Sequence, residues 1–551
     1  MRVSLIKPSR GKGLGTGESN ESLSLGYLAG ALRRSGHSVD IVNASLYTGM
    51  YVDDILKRIT DFSPGLIGIS ISDPTLVFSA YKIIKKVRIN GFDEHITVGG
   101  YTATFHWKDI LKSCKGIDSI VLYDGEIAIC ELAAKIKQKK EWRGIPGIAY
   151  ATEKSYVRNK EQLFFKNLDD ISFPARDDLK YVISNFDPAY ALILASRGCK
   201  YNCAFCSVGS YSAAFKTYKW RRRSVNNVLN EIQEINADFG LTRYQFVDDL
   251  FIDSSLGSKR YAKDFAIGLL KRGLSINYFF SATVDSIDSE MFMLLKDSGL
   301  SRVLIGAESA SFEILKYFDK RFDTKKIISS VEILTDLGID ISLSWINFTP
   351  ITRMKHLRES LMFFLENKLD LLPGLLNRYQ VYSGSRLFYR LKASGLLRGE
   401  FPYYDFKCID PQVDYVYSIS KNVFKPFLIL SEKLKEIELK LSSLYNNYKT
   451  TQGTHKVKAV YELNELRLNV KNIKEEMNSD AAKFFSMILD ISENEYCLSP
   501  NKIDTLLVDD LRKDILLCCD GWLRTIKYLE EFCIAPYEKE IFPLYRIEYA
   551  L

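Results

Sequence analysis

The chain has 551 residues, 46% apolar and 26% charged, with 75 basic against 68 acidic side chains and a formal net charge of +7. About three or four domains' worth of chain with ample apolar content needs no disulfide staples, and so small a net charge argues for neither a nucleic-acid groove nor a membrane surface. No secretory leader and no run of about 18 apolar residues is found, so a cytoplasmic protein with reduced thiols is expected.

The first 150 residues alternate between two periodicities. "RVSLIKP" is a short strand, and "ESLSLGYLAGALRRSGHSVDIVNA" sets Leu25, Leu28 and Leu32 on one helix face, stops at Gly36 and opens a second strand. "GLIGISIS" and "HITVGG" are strands rich in isoleucine and valine, with "AYKIIKKVR" helical between them. The alternation predicts a doubly wound, Rossmann-like parallel sheet over 1–150, which takes ligands beyond the C-terminal edges of its strands. Only the loose "SRGKGLGTGES" follows the first strand, in place of Gly-x-Gly-x-x-Gly, which weighs against a dinucleotide. The pair Gly99-Gly100 lets the backbone approach a bulky flat or nucleotide-bearing cofactor, the plain alternative being a tight turn. Residues 151–185, charged and weakly periodic up to "SFPARDDL", read as a linker laid across two surfaces.

Three of the ten cysteines then fall within "SRGCKYNCAFCSVGS", residues 196–210. In a reduced compartment this spacing suggests a metal site, yet a structural zinc site needs four ligands, and neither Cys nor His recurs between Cys206 and His356. A [4Fe–4S] cluster held by three thiolates leaves one iron open to an exogenous ligand. Around and beyond the cysteines, "AYALILAS", "YQFVDD", "NYFFSA", "RVLIGAE", "ISLSWINF" and "RYQVYSG" read as six strands separated by helical patterns. They predict a partial parallel barrel of six strands and helices over 186–400, whose C-terminal strand ends carry Asp248, Asp249, Ser281, Glu308 and Ser309. For Asp248 and Glu308 the alternative role is that of helix caps just past strands. The basic run "KWRRRS" at 219–224 reads as a solvated face or a helix entry.

Residues 401–551 predict a mainly helical C-terminal domain, with two long amphipathic helices, "PFLILSEKLKEIELKLSSLYNNYK" and "KVKAVYELNELRLNVKNIKEEMN", paired antiparallel through "TTQGTH". Three further helical stretches follow. Cys408, Cys497, Cys518, Cys519 and Cys533 are scattered there without ligand spacing and read as core thiols.

Cys199-x3-Cys203-x2-Cys206 with aromatic Phe205 resembles the cluster loop of the radical SAM superfamily. The resemblance implies a [4Fe–4S] cluster on Cys199, Cys203 and Cys206, its open iron taking the amino and carboxylate groups of S-adenosylmethionine (SAM), with Phe205 near the adenine. "RRRSVNNVLNEI" is similar to the family's Arg-x-Arg-Ser segment, "YQFVDDLFIDS" to its acidic second strand and "VLIGAESAS" to the strand that reaches the nucleoside, which adds Arg223, Asp248, Ser281, Glu308 and Ser309 to the expected SAM contacts. "YSGSRLFYRLKASGLL" resembles the last strand and its helix, whereas "INFTPITRMKHL" keeps only Pro350 of the relatives' Gly-x-Pro-Gly-Glu-Thr loop. "ISISDPTL", "TVGGYTA" and "VLYDGEIA" resemble the cobalamin-binding domain that precedes many such barrels, implying that Ser70, Ser72, Gly99, Gly100, Tyr101, Gly125 and Glu126 surround cobalamin.

The resemblance implies an enzyme in which the cluster cleaves SAM to a 5′-deoxyadenosyl radical and methylcobalamin methylates an unactivated carbon of a natural product or other small-molecule or peptide substrate. Rearrangement or cyclisation with the same cofactors is the first alternative, and a sensor without turnover is the second. An external flavodoxin- or ferredoxin-like electron donor is implied, and neither a nucleic acid nor a membrane is expected as a partner. There is no second cysteine triplet of the tRNA methylthiotransferase kind. Asp-x-His-x-x-Gly is missing after the first strand: His37 and His95 read as turn residues, His106 as a loop residue, and His356 and His455 fall outside the domain, so no histidine is expected on cobalt.

Overall fold

β-branched runs and burial coincide in the N-terminal sheet of the computed structural model, which describes residues 1–9, 19–47, 50–160, 163–186, 188–450, 456–496 and 505–534. Residues 10–18 of "SRGKGLGTGES", residues 451–455 of "TTQGTH" with His455, and Cys497 lie outside them. The chain forms two compact units, one of Met1–Ile305, Ser330–Ser342 and Gln380–Phe406, the other of Gly306–Ser329, Leu343–Tyr379 and Lys407–Leu551.

The first unit opens with β1 (Arg2–Lys7), α1 (Leu23–Arg34), β2 (Ser38–Asn43), α2 (Val52–Phe62), β3 (Leu66–Ser70), α3 (Val77–Ile89), β4 (His95–Gly99), α4 (Tyr101–Phe105), α5 (Trp107–Ser113), β5 (Ser119–Val121), α6 (Glu126–Lys137), β6 (Ile148–Ala151) and β7 (Tyr156–Arg158). These strands form one sheet in the order β2-β1-β3-β4-β5-β6-β7. Pairing is parallel from β2 through β5 and antiparallel at β6 and β7. β3 is buried along its whole length, as a central parallel strand covered on both faces must be. Leu25, Ala29 and Leu32 of α1 join Ala128, Leu132 and Ala133 of α6 over one face, while α2, α3 and α5 cover the other with Ile55, Ile59, Ile83, Val87 and Ile110. Strand order turns at β1 and β3, so their C-terminal ends open a crevice at the sheet edge.

After α7 (Leu179–Asn185) come β8 (Ala191–Ile193), β9 (Ser196–Gly198), α8 (Val208–Ala213), β10 (Trp220–Arg222), α9 (Val225–Phe239), β11 (Arg243–Phe246), α10 (Leu256–Lys271), β12 (Asn277–Ala282), α11 (Ser289–Asp297), β13 (Leu300–Glu308), α12 (Phe312–Tyr317), α13 (Thr324–Asp336) and β14 (Asp340–Trp345). The order β14-β13-β12-β11-β8, parallel from β8 through β13, is that of successive strand–helix units. The expected sixth strand, "RYQVYSG", contributes one isolated bridge, Phe348 with Arg378, because Pro350 and the turn after it replace a continuing ladder.

Charged groups in the interior tie the linker to both sides. Arg176 pairs with Glu21 and, at 2.5 Å, with Glu231 of α9, and Glu231 pairs in turn with Arg223. All four are buried to 9% exposure or less. The peptide N–H of Leu192 donates to Glu21, and Arg176 donates to Leu192 O, so the network also fixes the start of β8.

The second unit holds α14 (Met354–Glu366) and α15 (Leu372–Leu375). In the first unit, α16 (Arg386–Ala393) is followed by a hairpin of β15 (Leu397–Glu400) and β16 (Tyr403–Phe406). The rest of the second unit is α17 (Pro411–Val423), α18 (Lys425–Thr450), α19 (Lys456–Tyr496) and α20 (Thr505–Tyr528). α18 and α19 run antiparallel: Phe427 meets Phe484, Glu438 meets Lys474, and Tyr445 lies under Arg467. α19 runs on where a break was expected after residue 478, since neither Gly nor Pro interrupts residues 456–496. No described helix is long and apolar enough to cross a membrane.

Candidate functional site

Gly198 shapes the entrance to the cysteine loop: its φ is +81°, and a β-carbon there would lie 2.1 Å from Lys219 O. Cys199, Cys203 and Cys206 are all half-buried, and the Cys206 N–H donates to Cys203 O at 3.2 Å, closing the loop. Two peptide N–H groups point at sulfur, Tyr201 at Cys199 Sγ and Val208 at Cys206 Sγ, each at 3.4 Å. Burial pushes the Cys199 thiol up to about 12, opposed by the Tyr201 N–H. No three Cys, His, Asp or Glu side chains among the described residues converge on one ion position. The sulfur-directed N–H groups are donors of the kind that support thiolate ligands of a cluster. Phe205 is half-buried in the same loop.

The loop is held by the acidic stretch after β11. Asp248 accepts the Ala195 N–H at 3.1 Å and the Ser196 hydroxyl at 2.5 Å, and Asp249 accepts the Gly198 N–H at 3.2 Å. Burial pushes Asp248 up to about 6 against these hydrogen bonds, and it raises Asp249 too. Arg223 donates to Asn227 Oδ1 at 2.6 Å, Leu194 O at 3.0 Å and Glu231, so its guanidinium is engaged by protein acceptors. Ser281, half-buried, sits one residue from the end of β12 in register with Leu304.

Glu308 and Ser309 belong to the second unit. Glu308 ends β13 with φ +69°, a left-handed conformation that side chains rarely adopt outside functional or tightly constrained positions. Its carboxylate is fixed by Lys320 at 3.0 Å and by the Ser344 hydroxyl at 2.9 Å. Ser309 accepts the Ser311 N–H at 3.1 Å, the local turn that such a residue makes before a helix.

In the first unit a cavity of about 400 Å³ opens at the C-terminal edge of the N-terminal sheet, and Ser70, Ser72, Gly99, Gly100, Tyr101, Gly125 and Glu126 all line it. A β-carbon on Gly100, at φ +107°, would come within 2.9 Å of the Ile71 carbonyl, so this glycine is demanded by backbone packing first. At Gly99 the nearest atom would be Val121 O at 3.3 Å, and that β-carbon would also reduce the cavity. The opposite wall comes from the cysteine-loop region: Arg197, Gly198, Tyr211 and Asp249. Arg197 and Arg221 face each other across the β9–β10 ladder, a repulsive pair relieved by carboxylates. Arg197 donates to Glu126 at 2.6 Å, and Asp124 takes Arg221 at 2.9 Å. The Tyr27 ring lines the cavity under Arg197, and its buried hydroxyl finds no hydrogen-bond partner among the described residues. An apolar cradle with glycine walls and an orphan phenol fits a large flat ligand with polar edges, as a corrinoid is.

Among the described residues, no histidine lines this cavity. His106 is engaged at both ring nitrogens, with Asp109 at 3.0 Å and Ser383 at 2.5 Å. Sequence reasoning missed Tyr27, Asp124, Arg197 and Tyr211. Asp124 and Arg197 lay inside the quoted motifs, one residue from Gly125 and two from Cys199, whereas Tyr27 looks in sequence like any core aromatic of an amphipathic helix.

The B12 binding domain family matches residues 16–133, and the Radical SAM superfamily matches residues 193–360. The chain is a radical SAM enzyme with a B12-binding domain. This radical SAM enzyme is 28% identical over 433 residues to an uncharacterized methyltransferase of Pyrococcus horikoshii, spanning 77% of this chain and 90% of that protein. It is 25% identical over 334 residues to the hopanoid C-3 methylase of Methylococcus capsulatus, spanning 59% of this chain and 61% of that protein. Its fold is similar to that of the cobalamin-dependent radical SAM enzyme OxsB, solved with aqua-cobalamin and SAM bound, at a TM-score of 0.70 and 18% identity over 96% of this chain and 80% of that one.

Proposed function

We propose that this radical SAM enzyme is a cobalamin-dependent methyltransferase acting on an unactivated carbon of a small-molecule or peptide substrate, with an external flavodoxin- or ferredoxin-like protein as its electron donor. The observation that carries the reading is the shared cavity, whose walls come from the B12-binding sheet edge on one side and from the cysteine-loop region on the other. A methyl carrier and a radical generator serve one substrate only when both open onto the same space. Relatives named as a methyltransferase in Pyrococcus horikoshii and a methylase in Methylococcus capsulatus support the direction of the chemistry.

When bound, the cluster supplies the electron that cleaves SAM to a 5′-deoxyadenosyl radical, and the corrinoid carries the methyl group. Cys199, Cys203 and Cys206 hold the cluster, with the Tyr201 and Val208 N–H groups donating to two of the sulfurs. Phe205, Ser281, Glu308 and Ser309 are the residues we assign to SAM, Glu308 with its carboxylate oriented by Lys320 and Ser344. Asp248 and Arg223 enter as positioning residues that fix Ala195, Ser196 and Leu194 ahead of the loop. Ser70, Ser72, Gly99, Gly100, Tyr101, Gly125 and Glu126 cradle the corrinoid, while the apolar remainder of the wall excludes water from the reacting carbon.

Anaerobic incubation of the reconstituted chain with methyl-labelled SAM and candidate substrates tests this reading. Label in the product, together with one S-adenosylhomocysteine and one 5′-deoxyadenosine per turnover, is expected. Turnover with 5′-deoxyadenosine but no label in the product would assign rearrangement or cyclisation instead.

A further inference from the structure

Lys200 is the single charged side chain between Cys199 and Cys206. Its ammonium forms an ion pair with Asp253, whose side chain is 0% exposed whereas that of Lys200 is 39% exposed. The same ammonium lies over the rings of Tyr201 at 5.3 Å and Trp220 at 5.9 Å. Asp253 is itself immobilised: its carboxylate accepts the Ser255 N–H at 2.8 Å and the Ser255 hydroxyl at 2.5 Å, and its own N–H donates to Ser258 Oγ at 3.0 Å. Trp220 is fixed by its indole N–H, which donates to Leu250 O at 3.2 Å. The cation is therefore held, one residue from a cluster ligand, by a carboxylate and an indole that are themselves hydrogen-bonded to the protein.

A fully buried carboxylate costs several kcal/mol unless it is paired, and Lys200 is its charged partner. Low local dielectric also makes the buried carboxylate felt at a neighbouring redox centre more strongly than an exposed charge would be, whereas the ammonium, 39% exposed, is partly screened by solvent. Reduction adds negative charge to a cluster, so a nearby ammonium favours the reduced state and a nearby carboxylate the oxidised one.

We propose that Lys200 and Asp253 are a positioning pair for the cysteine loop, their contact holding Cys199 in ligating geometry and their opposed charges setting the potential at which the cluster accepts its electron. This rests on the assignment of the cluster to Cys199, Cys203 and Cys206.

The test is iron and sulfide content together with an EPR-monitored redox titration of the reconstituted full-length chain and its variants. Lys200→Met is expected to move the midpoint to a more negative potential and Asp253→Asn to a more positive one, with the double variant returning toward the wild-type value. Opposite shifts from the two ends of one contact are a signature of charge that loop disorder does not produce. If Lys200→Met loses its iron, Lys200→Arg is expected to retain four irons and a near wild-type midpoint; loss of iron in both would overturn the proposal. Midpoints unmoved in both single variants, or moved in the same direction, would also overturn it. A wild-type chain that took up no cluster would instead defeat the cysteine assignment.

Discussion

Tyr101 and Tyr211 stack face to face, with 4.7 Å between ring centroids and 10° between planes. One ring starts the helix after the double glycine, and the other follows Cys206 by five residues. Both line the cavity, so the stack joins the two cofactor-bearing stretches. An aromatic pair of this kind contributes about 0.5–1.5 kcal/mol beyond area burial. Tyr211→Leu should therefore weaken cobalamin binding by about two- to tenfold while leaving iron content unchanged. Spectrophotometric titration with hydroxocobalamin reads this, and an unaltered Kd would separate the stack from the corrinoid site.

Replacing any one of Cys199, Cys203 and Cys206 with alanine should abolish SAM cleavage. The triple-alanine variant should bind no cluster. Four irons per chain retained in that variant, by iron and sulfide analysis, would falsify the assignment.

For Glu308→Gln, the expectation is weaker SAM binding with cluster content intact. Loss of a charge-assisted hydrogen bond removes about 1.5–3 kcal/mol, or roughly ten- to more than a hundredfold in Kd. Equilibrium binding of SAM to the reconstituted protein provides the check, and an unchanged Kd would leave Glu308 with only its contacts to Lys320 and Ser344.

Protein-bound cob(II)alamin should show no superhyperfine splitting from a coordinated protein nitrogen, since no described histidine lines the cavity. The EPR spectrum should be the same in His106→Ala. A nitrogen splitting present in wild type and absent in that variant would contradict the geometry in which Asp109 and Ser383 occupy the ring.

His106 also has a pH consequence. Burial lowers its folded pKa, opposed by the Asp109 carboxylate, whereas the unfolded chain titrates near the ordinary value of about 6.5. Between the two values the unfolded state binds the extra proton, so stability rises with pH through that window and is lost as pH falls below about 6.5. Thermal unfolding of wild type and His106→Gln across pH 5–8 should show a smaller acid-side decline in the variant. Parallel profiles would remove His106 from the acid response.

The first sheet and the cysteine loop were legible because both rest on local signals: isoleucine- and valine-rich runs of strand length, and three thiols at fixed spacing. The seven residues expected at cobalamin fall on one cavity wall because βα turns always gather at the same sheet edge. Arg223 was harder to read. Its role depends on Glu231, eight residues away on α9, and on Leu194 O just past β8, and no spacing rule announces such a contact. The weak sixth strand and the unbroken α19 show the same limit, since a ladder partner or a missing breaker decides the outcome more than the apolar pattern does.

Arg176, with its hold on Glu21 and Glu231, makes the B12-binding domain and the barrel poor candidates for exchange. A recombinant fragment ending before residue 176 would leave Glu21 buried without its cation, and a barrel grafted onto a foreign N-terminal domain would leave Arg176 short of one carboxylate. Breaking a buried pair from one side costs about 3–5 kcal/mol, a large share of a typical domain's net stability. Chimeras that keep the cofactor motifs but cut between these charges start from that deficit, so workable crossover points must carry Glu21, Arg176 and Glu231 together.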